Sequence, residues 1–350
     1  MLKSCEIDFN NPPAKAQEII SAGDVPLGTQ GNLFGITGGE GTGKSNYVAA
    51  IVAGCICPAG ADIDTLGIQI TANGRHKAVL LYDTEQSEVQ LFKNVSNLLA
   101  RAKQPDKPDE LKAFCLTGMS RKERLNAIVQ SMDKFYYQYG GIQLVVIDGI
   151  ADLVKSANDE AESVAVIDEL YRLAGIYNTC ILCVLHFVPN GLKLRGHLGS
   201  ELQRKAATIL SIEKDEEPAQ SVVKALKVRD GSPLDVPLML FAWDKEAGMH
   251  VYKGEKPREE KEKRKERELV NVARDIFGRQ TRITYIDLCE QLQQVLDIKE
   301  RTAKSYIRFM RERDIITKDT ANQSCFVIGS YNLTMKHNPP LGAWAELVCF

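Results

Sequence analysis

One stretch, Gly38-Gly39-Glu40-Gly41-Thr42-Gly43-Lys44-Ser45, limits what this chain can fold into more than any other. It fits the spacing G-x-x-x-x-G-K-[ST], in which a glycine-rich turn wraps its backbone N–H groups around a polyphosphate. A Cβ would block both the positive-φ turns and the close approach that such wrapping needs. Lys44 then brings a point charge to the outer phosphates, and the Ser45 hydroxyl is placed for a Mg²⁺ ion. The helix that starts near Ser45 and Asn46 aims its positive end at the anion. The flanks agree with this reading: Leu33–Thr37 reads as a short apolar strand, and Asn46–Val52 opens an apolar helix. The pattern predicts a strand–loop–helix that holds a nucleoside triphosphate through residues 38–46.

Around this stretch, apolar runs of strand length alternate with segments of helical period. Lys77–Asp83 is a buried strand, and Glu88–Ala102 a helix with Val89, Phe92, Val95, Leu98 and Leu99 on its inner face. Phe114–Leu116, Gln143–Ile147 and Cys180–Leu185 are further strands, separated by helices over Arg121–Tyr137 and Val164–Tyr177. This order predicts an α/β fold with a mostly parallel sheet covered on both faces. From Ala207 onward strands follow without helices (208–212, 222–228, 237–242, 250–252), an antiparallel extension of that sheet. Residues 1–32 read as a polar lead-in draped over the first strand, and 58–76 as a loop. Cys180 and Cys183 suggest a metal pair, but positions i and i+3 of a strand face opposite sides, so core packing is the expectation. The nine cysteines are scattered and Met1–Asp8 is unlike a secretory leader. Reduced thiols and a cytoplasmic, membrane-free protein are therefore expected. A net charge of −2 excludes a uniformly basic surface, so any contact with nucleic acid must be local.

Side chains at strand ends carry the candidate chemistry, because the carboxyl ends of parallel strands open onto the ligand crevice. Asp148 closes the apolar run Leu144–Ile147 and is placed to hold Mg²⁺ through a water. Asp83 and Glu85, after the strand at 77–83, compete as the base that deprotonates an attacking water, with Glu85 preferred. The alternative is that both cap the helix that starts near Ser87. His186 ends the strand at 180–185, where an imidazole can sense a γ-phosphate. The loop that follows carries Lys193 and Arg195, suited to tracking a single-stranded backbone. Lys227 and Arg229 project from one side of a strand end, as a pair that stabilises charge on a γ-phosphate would.

Beyond Lys253, mixed charges at 255–268 predict an exposed linker helix between an ATPase domain (1–254) and a second domain (269–335), followed by a tail (336–350). The second domain reads as helix, helix, helix, hairpin: Leu269–Phe277, Tyr285–Val295, and a helix to Arg313 opened by a capping box at Asp297–Glu300. Strands at 315–318 and 325–328 complete a winged helix-turn-helix layout. Its third helix carries Arg301, Lys304 and Arg308 toward a DNA groove. A protein-docking module is the alternative.

Taken in order, the phosphate loop 38–45, Glu85, Asp148, His186 and Lys227-x-Arg229 resemble the RecA-type ATPases over residues 25–252. The branch most similar is that of the hexameric replicative helicases, DnaB-like and plasmid RepA-like. The stand-alone helicase-like ATPases of plasmids and mobile elements have an Arg-Gly-rich segment similar to Arg195–Ser200. The resemblance implies ATP and Mg²⁺ as ligands, Glu85 as the base, and Lys227 and Arg229 acting on a neighbouring subunit's nucleotide. It also implies loops at 149–163 and 187–198 facing single-stranded DNA in a homohexameric ring, with a primase or initiator as a possible partner. No counterpart of the primase-binding domain of DnaB-like helicases is expected ahead of residue 25, and the winged helix is not a shared feature. The expectation is a DNA-dependent, Mg-ATP-hydrolysing helicase. Its rivals are an ATP-switched DNA-binding initiator or regulator, a recombinase-like filament and, least favoured, a small-molecule kinase.

Overall fold

A computed structural model describes residues 6–186, 196–215, 219–320 and 322–329. The chain divides into two compact units, 1–256 and 257–350.

The first unit opens with an antiparallel hairpin, β1 (Glu18–Ala22) and β2 (Val25–Thr29). The lead-in expected to be polar is apolar here: Ile19, Ile20, Ala22 and Leu27 are buried, which suits the segment to strands. The strand β3 (Leu33–Gly38) leads through the glycine loop into α1 (Lys44–Ile56). The loop expected at 58–76 contains a short strand, β4 (Gln69–Ile70), which adds to β1. Strands and helices then alternate: β5 (Ala78–Asp83), α2 (Glu88–Arg101), β6 (Leu111–Cys115), α3 (Arg121–Tyr139), β7 (Ile142–Asp148), α4 (Glu160–Ile176) and β8 (Cys180–His186). A helix that begins within the loop expected at 187–198 follows, α5 (Gly196–Lys205), and then β9 (Thr208–Lys214), β10 (Gln220–Val228), β11 (Leu238–Asp244) and β12 (Met249–Lys256).

The main sheet has nine strands in the order β12-β11-β10-β9-β3-β8-β7-β5-β6. β9 pairs parallel with β3, so the antiparallel extension starts only at β10 and not, as expected, at residue 207. Alternate residues of the central strands point into two apolar layers. Val79, Leu81, Leu144 and Val146 pack on the side of α1 and α2, while Leu80, Tyr82, Val145 and Ile147 pack on the side of α3 and α4. Cys180 lies in the first layer and Cys183 in the second, so the two thiols face opposite sides of β8. Burial pushes both above the ordinary thiol range, which leaves them inert packing groups.

The inner face of α2 is the expected one over Val95, Leu98 and Leu99 but not in the first turns. Leu91 and Leu98 are buried, whereas Val89 and Phe92 are 80% and 76% exposed. Leu91, Val95 and Leu98, at i, i+4 and i+7, form the stripe that packs onto the core, and Arg101 continues it.

The second unit consists of α6 (Arg258–Arg279), β13 (Ile283–Thr284), α7 (Tyr285–Leu296), α8 (Glu300–Glu312), β14 (Ile316–Lys318) and β15 (Cys325–Ile328). Its small sheet has the order β13-β15-β14. Leu269, Ile276, Leu292, Ala303, Ile307 and Met310 form a core of their own. The linker helix expected at 255–268 is the first part of α6: β12 runs to Lys256, and one continuous helix from Arg258 joins it to the helix expected at Leu269–Phe277. Nor is there a capping box at Asp297–Glu300. Asp297 is left-handed (φ 49°) and ends α7, and Lys299, the residue before α8, makes no side-chain cap bond. The expected tail at 336–350 lies outside the described residues. Among the described residues, no helix is long and apolar enough to cross a membrane.

Candidate functional site

The glycine loop is built by close contacts that only glycine permits. A Cβ on Gly38 would lie 2.3 Å from the Ile212 carbonyl oxygen of β9, and one on Gly43 (φ +93°) 2.8 Å from the Phe241 ring of β11. Strands on the phosphate loop's own side of the sheet therefore press directly against it. Lys44 folds back over the turn: its Nζ donates to the carbonyls of Gly38 (3.0 Å) and Gly39 (2.7 Å). The Thr42 hydroxyl donates to the Gly39 carbonyl at 3.0 Å. Burial lowers the ammonium's pKa, against the opposing pull of Asp148, Glu85 and Glu40.

Glu40, Gly41, Gly43, Lys44, Ser45 and Asn46 line a cavity of about 340 Å³. Its remaining wall is Glu85, Gln86, Asp148, His186 and His250. The volume lies within the ~300–1,000 Å³ of small-molecule sites. Strand register brings these side chains together, since Asp83 pairs with Asp148 across β5 and β7, and Gly38 with His186 across β3 and β8. The predicted Glu85, Asp148 and His186 thus meet the loop in one place. Gly38, Gly39 and Thr42 form the turn behind the lining.

The two competing carboxylates have different surroundings. Asp83 is buried, and its Oδ1 accepts the backbone N–H groups of Glu85 (3.0 Å) and Gln86 (2.8 Å). Burial raises its pKa and those two bonds oppose the rise. Asp83 therefore shapes the turn that carries Glu85. Glu85 itself stays partly exposed, with its Oε2 3.3 Å from Nε2 of His186. Gly149 makes room for it: at φ +97°, a Cβ there would come within 2.4 Å of Thr84 Oγ1 and 2.6 Å of Glu85 Cγ. Thr84 in turn donates its hydroxyl to the carbonyls of Asp148 (3.0 Å) and Gly149 (2.8 Å), latching the two strand ends together. Asp148 is pushed up to about 7, chiefly by burial and then by the charges of Asp83 and Glu85, with Lys44 and His186 opposing.

These oxygens fit the group that the motif implies. Mg²⁺ takes hard oxygen ligands and commonly binds through one or two protein side chains plus substrate phosphates and water. Ser45 and Asp148 border the same space and offer such a pair. Their donor chemistry matches, and a half-buried carboxylate beside two others gains from a nearby cation.

The other predicted residues lie elsewhere. Lys227 and Arg229 do not line the cavity; they cap the end of α5. Lys227 Nζ donates to the carbonyls of Gln203 (2.7 Å) and Arg204 (3.2 Å), and Arg229 Nη2 to that of Lys205 (3.1 Å). Lys193 and Arg195 lie outside the described residues. On α8, Lys304 pairs with Glu300 at 2.7 Å and Arg308 with Glu312 at 2.8 Å, each one turn away along the same helix. Arg301 is exposed on that helix. Sequence reasoning missed Gln86, Gly149 and His250. Gln86 and Gly149 directly follow flagged strand-end motifs, so that proximity was their signal. His250 belongs to no motif.

A family model described as an AAA domain matches residues 1–190, a span that holds the phosphate loop, Glu85, Asp148 and His186. No curated protein matches the chain.

Proposed function

The chain belongs to the AAA-domain family of P-loop ATPases, and from this premise we propose that it is a DNA-dependent, Mg²⁺-requiring ATP hydrolase of the RecA-like type. The observation that carries the reading is the convergence of Lys44, Glu85, Asp148 and His186 on one cavity at the loop.

In this reading the loop amides and Lys44 hold the triphosphate, and Lys44 exchanges its two carbonyl acceptors for phosphate oxygens. A water attacks the γ-phosphorus, and Glu85 takes its proton as the new P–O bond forms. The bridging P–O bond breaks, its electron pair goes to the β-phosphate oxygen, and ADP and phosphate result. Asp83 holds the Glu85 turn in place, and His186 orients the Glu85 carboxylate. Ser45 and Asp148 would hold Mg²⁺, which would supply charge neutralisation at the phosphates. Such positioning of a base is worth about 10²–10⁴ in rate.

The finer reading is a hexameric helicase of plasmid or mobile-element type that moves on single-stranded DNA, with a primase or initiator as partner. It rests on the order of motifs 38–45, 85, 148, 186 and 227–229. The second unit's three helices and three-stranded sheet support a winged helix that contacts duplex through Arg301, Lys304 and Arg308. One observation favours a second reading, an ATP-switched DNA-binding regulator: Lys227 and Arg229 are held by α5 of their own chain rather than projecting free.

Measuring ATP turnover with and without single-stranded DNA, beside strand displacement on forked DNA, tests both. Stimulated turnover with displacement supports the helicase. Turnover or binding that alters duplex affinity without displacement supports the regulator. A chain that neither binds nor hydrolyses ATP overturns both.

A further inference from the structure

His250 belongs to none of the roles above, yet it lines the same cavity as Lys44 and Glu85. It stands on β12, and the strand order β12-β11-β10-β9-β3-β8-β7-β5 separates it from the carboxylates. The phosphate loop follows β3, with Asp148 and Glu85 after β7 and β5 on one side and β12 at the sheet's far edge on the other. A triphosphate whose outer phosphate lies toward Glu85 must therefore extend its nucleoside away from β7, which is toward His250.

The ring is held firmly there. It meets Phe241 edge-on at 5.7 Å and Trp243 edge-on at 5.5 Å. Phe241 is the same ring that supports Gly43, so the imidazole has a fixed place relative to the phosphate loop. The backbone carbonyl of His250 accepts a bond from the buried Arg101, which also reaches the Asp64 carbonyl at 2.8 Å. Backbone and ring are thus both anchored. The ring's Nδ1 is buried and has no hydrogen-bond partner among the described residues. A buried donor without an acceptor is rarer and more costly than a bare acceptor, which assigns the ring proton to Nε2. Burial, with Arg101 and Lys214 nearby, also holds the imidazole below its ordinary range and so keeps it neutral at pH 7.

We propose that His250 is a base-recognition residue, donating its Nε2–H to an acceptor on the edge of the bound nucleoside triphosphate's base. The inference rests on the nucleotide-binding reading above and adds the residue that detects the nucleoside. Its partner is any base with an in-plane nitrogen or carbonyl acceptor, not the phosphate chain.

The test compares affinity for Mg-ATP with affinity for Mg-tripolyphosphate, which keeps the phosphates alone, and for Mg-ribose-5-triphosphate, which keeps phosphates and sugar and lacks only the base. It uses the full chain, as wild type, His250→Ala and His250→Phe. The loss of one hydrogen bond predicts a 3- to 10-fold weaker Kd for ATP, roughly, in both variants. Affinities for tripolyphosphate and ribose-5-triphosphate should stay within about twofold of wild type. His250→Phe keeps a ring between Phe241 and Trp243, so it remains informative if His250→Ala does not fold. Three results overturn the inference: unchanged ATP affinity in His250→Phe, equal weakening of ATP and of either base-free ligand, or a wild type that binds ATP no more tightly than ribose-5-triphosphate. A wild type that binds none of these ligands overturns the nucleotide reading itself, a failure the tripolyphosphate arm separates from the other three.

Discussion

The phosphate-loop cavity and helix α8 were both flagged for their charged residues, and the structure treats those charges in opposite ways. At the cavity, Lys44, Glu85 and Asp148 project from the ends of buried strands or the first turn of a buried helix. Each is held by backbone that cannot move without disturbing the core. Asp148 is pushed up to about 7 because its charge has little water around it. On α8, Lys304 and Arg308 are exposed and already matched by Glu300 and Glu312 of the same helix. Exposed pairs of this kind lose most of their strength to solvent and salt. The comparison teaches that position gives a charge its chemical use, and that a count of basic residues along a helix does not supply position.

The largest expected effect lies at the cavity. Glu85→Gln should keep ATP binding and lose about 10²–10⁴ in turnover, whereas Asp83→Asn should lose less, because Asn keeps one oxygen to accept the turn's N–H groups. Single-turnover kinetics of the two variants check this. Near-normal turnover in Glu85→Gln with collapse in Asp83→Asn would reverse the two roles and undo the contrast at its strong end.

Next comes pH. The folded pKa of Asp148 is about 7, against an ordinary 3.8. Between those values the folded state binds the proton more tightly than the unfolded state, so stability falls as pH rises from about 4 to about 7 and then levels off. Asp148→Asn lacks this dependence. Its stability relative to wild type should therefore rise through that window by something on the order of 1–3 kcal/mol, read from denaturant titrations at several pH values. Excess Mg²⁺ and nucleotide at pH 8 should narrow the gap. A constant gap from pH 4 to 8 would mean that the carboxylate is not under this strain.

α8 tests the weak end. Reversing Arg301, Lys304 and Arg308 to Glu should weaken duplex binding and reduce its log–log salt slope by roughly 3, if each meets a phosphate. An unchanged slope would make the second unit a protein-docking module. The smallest effect should come from Glu300→Gln with Glu312→Gln. The melting temperature should hold within ~1 °C, because the broken pairs are exposed. Duplex affinity should rise severalfold, because the two cations are released for phosphate.

Much of the first unit was readable because its signals are local. The loop 38–45 dictates its own backbone, and the runs at Leu144–Ile147 and Cys180–Leu185 are too apolar to sit anywhere but inside. Strand ends then follow, and with them Glu85, Asp148 and His186. The errors share a different cause. The hairpin at 18–29 is held by contacts with distant elements, as when Ile20 pairs with Ile70 of β4. The inner face of α2 departs from expectation only at its start, where Val89 and Phe92 satisfy an i, i+3 spacing as well as Leu91 and Leu98 satisfy i, i+7. Only the tertiary partner decides between them. α5 was missed because Gly196 and Gly199 argue for a turn, and a positive φ at Gly196 does begin the helix. His250 was out of reach, because its place in the cavity depends on a sheet order that joins residue 250 to residue 43 through Phe241.

α5 also has a mechanical character that its glycines conceal. Its first turn is seated on the segment after Asp148: Leu198 N–H donates to the Ala157 carbonyl at 3.0 Å, and a Cβ on Gly196 would lie 2.3 Å from that same oxygen. Its last carbonyls are gripped by Lys227 and Arg229 of the β10 end. A helix fixed at both ends is a strut, stiff along its axis, and ten residues at about 1.5 Å each make this one about 15 Å long. The Ala157 segment, nine residues on from Asp148, and the two cations therefore meet opposite ends of one helix. Lys227 and Arg229 can leave that position only by giving up the grip that holds the strut in place.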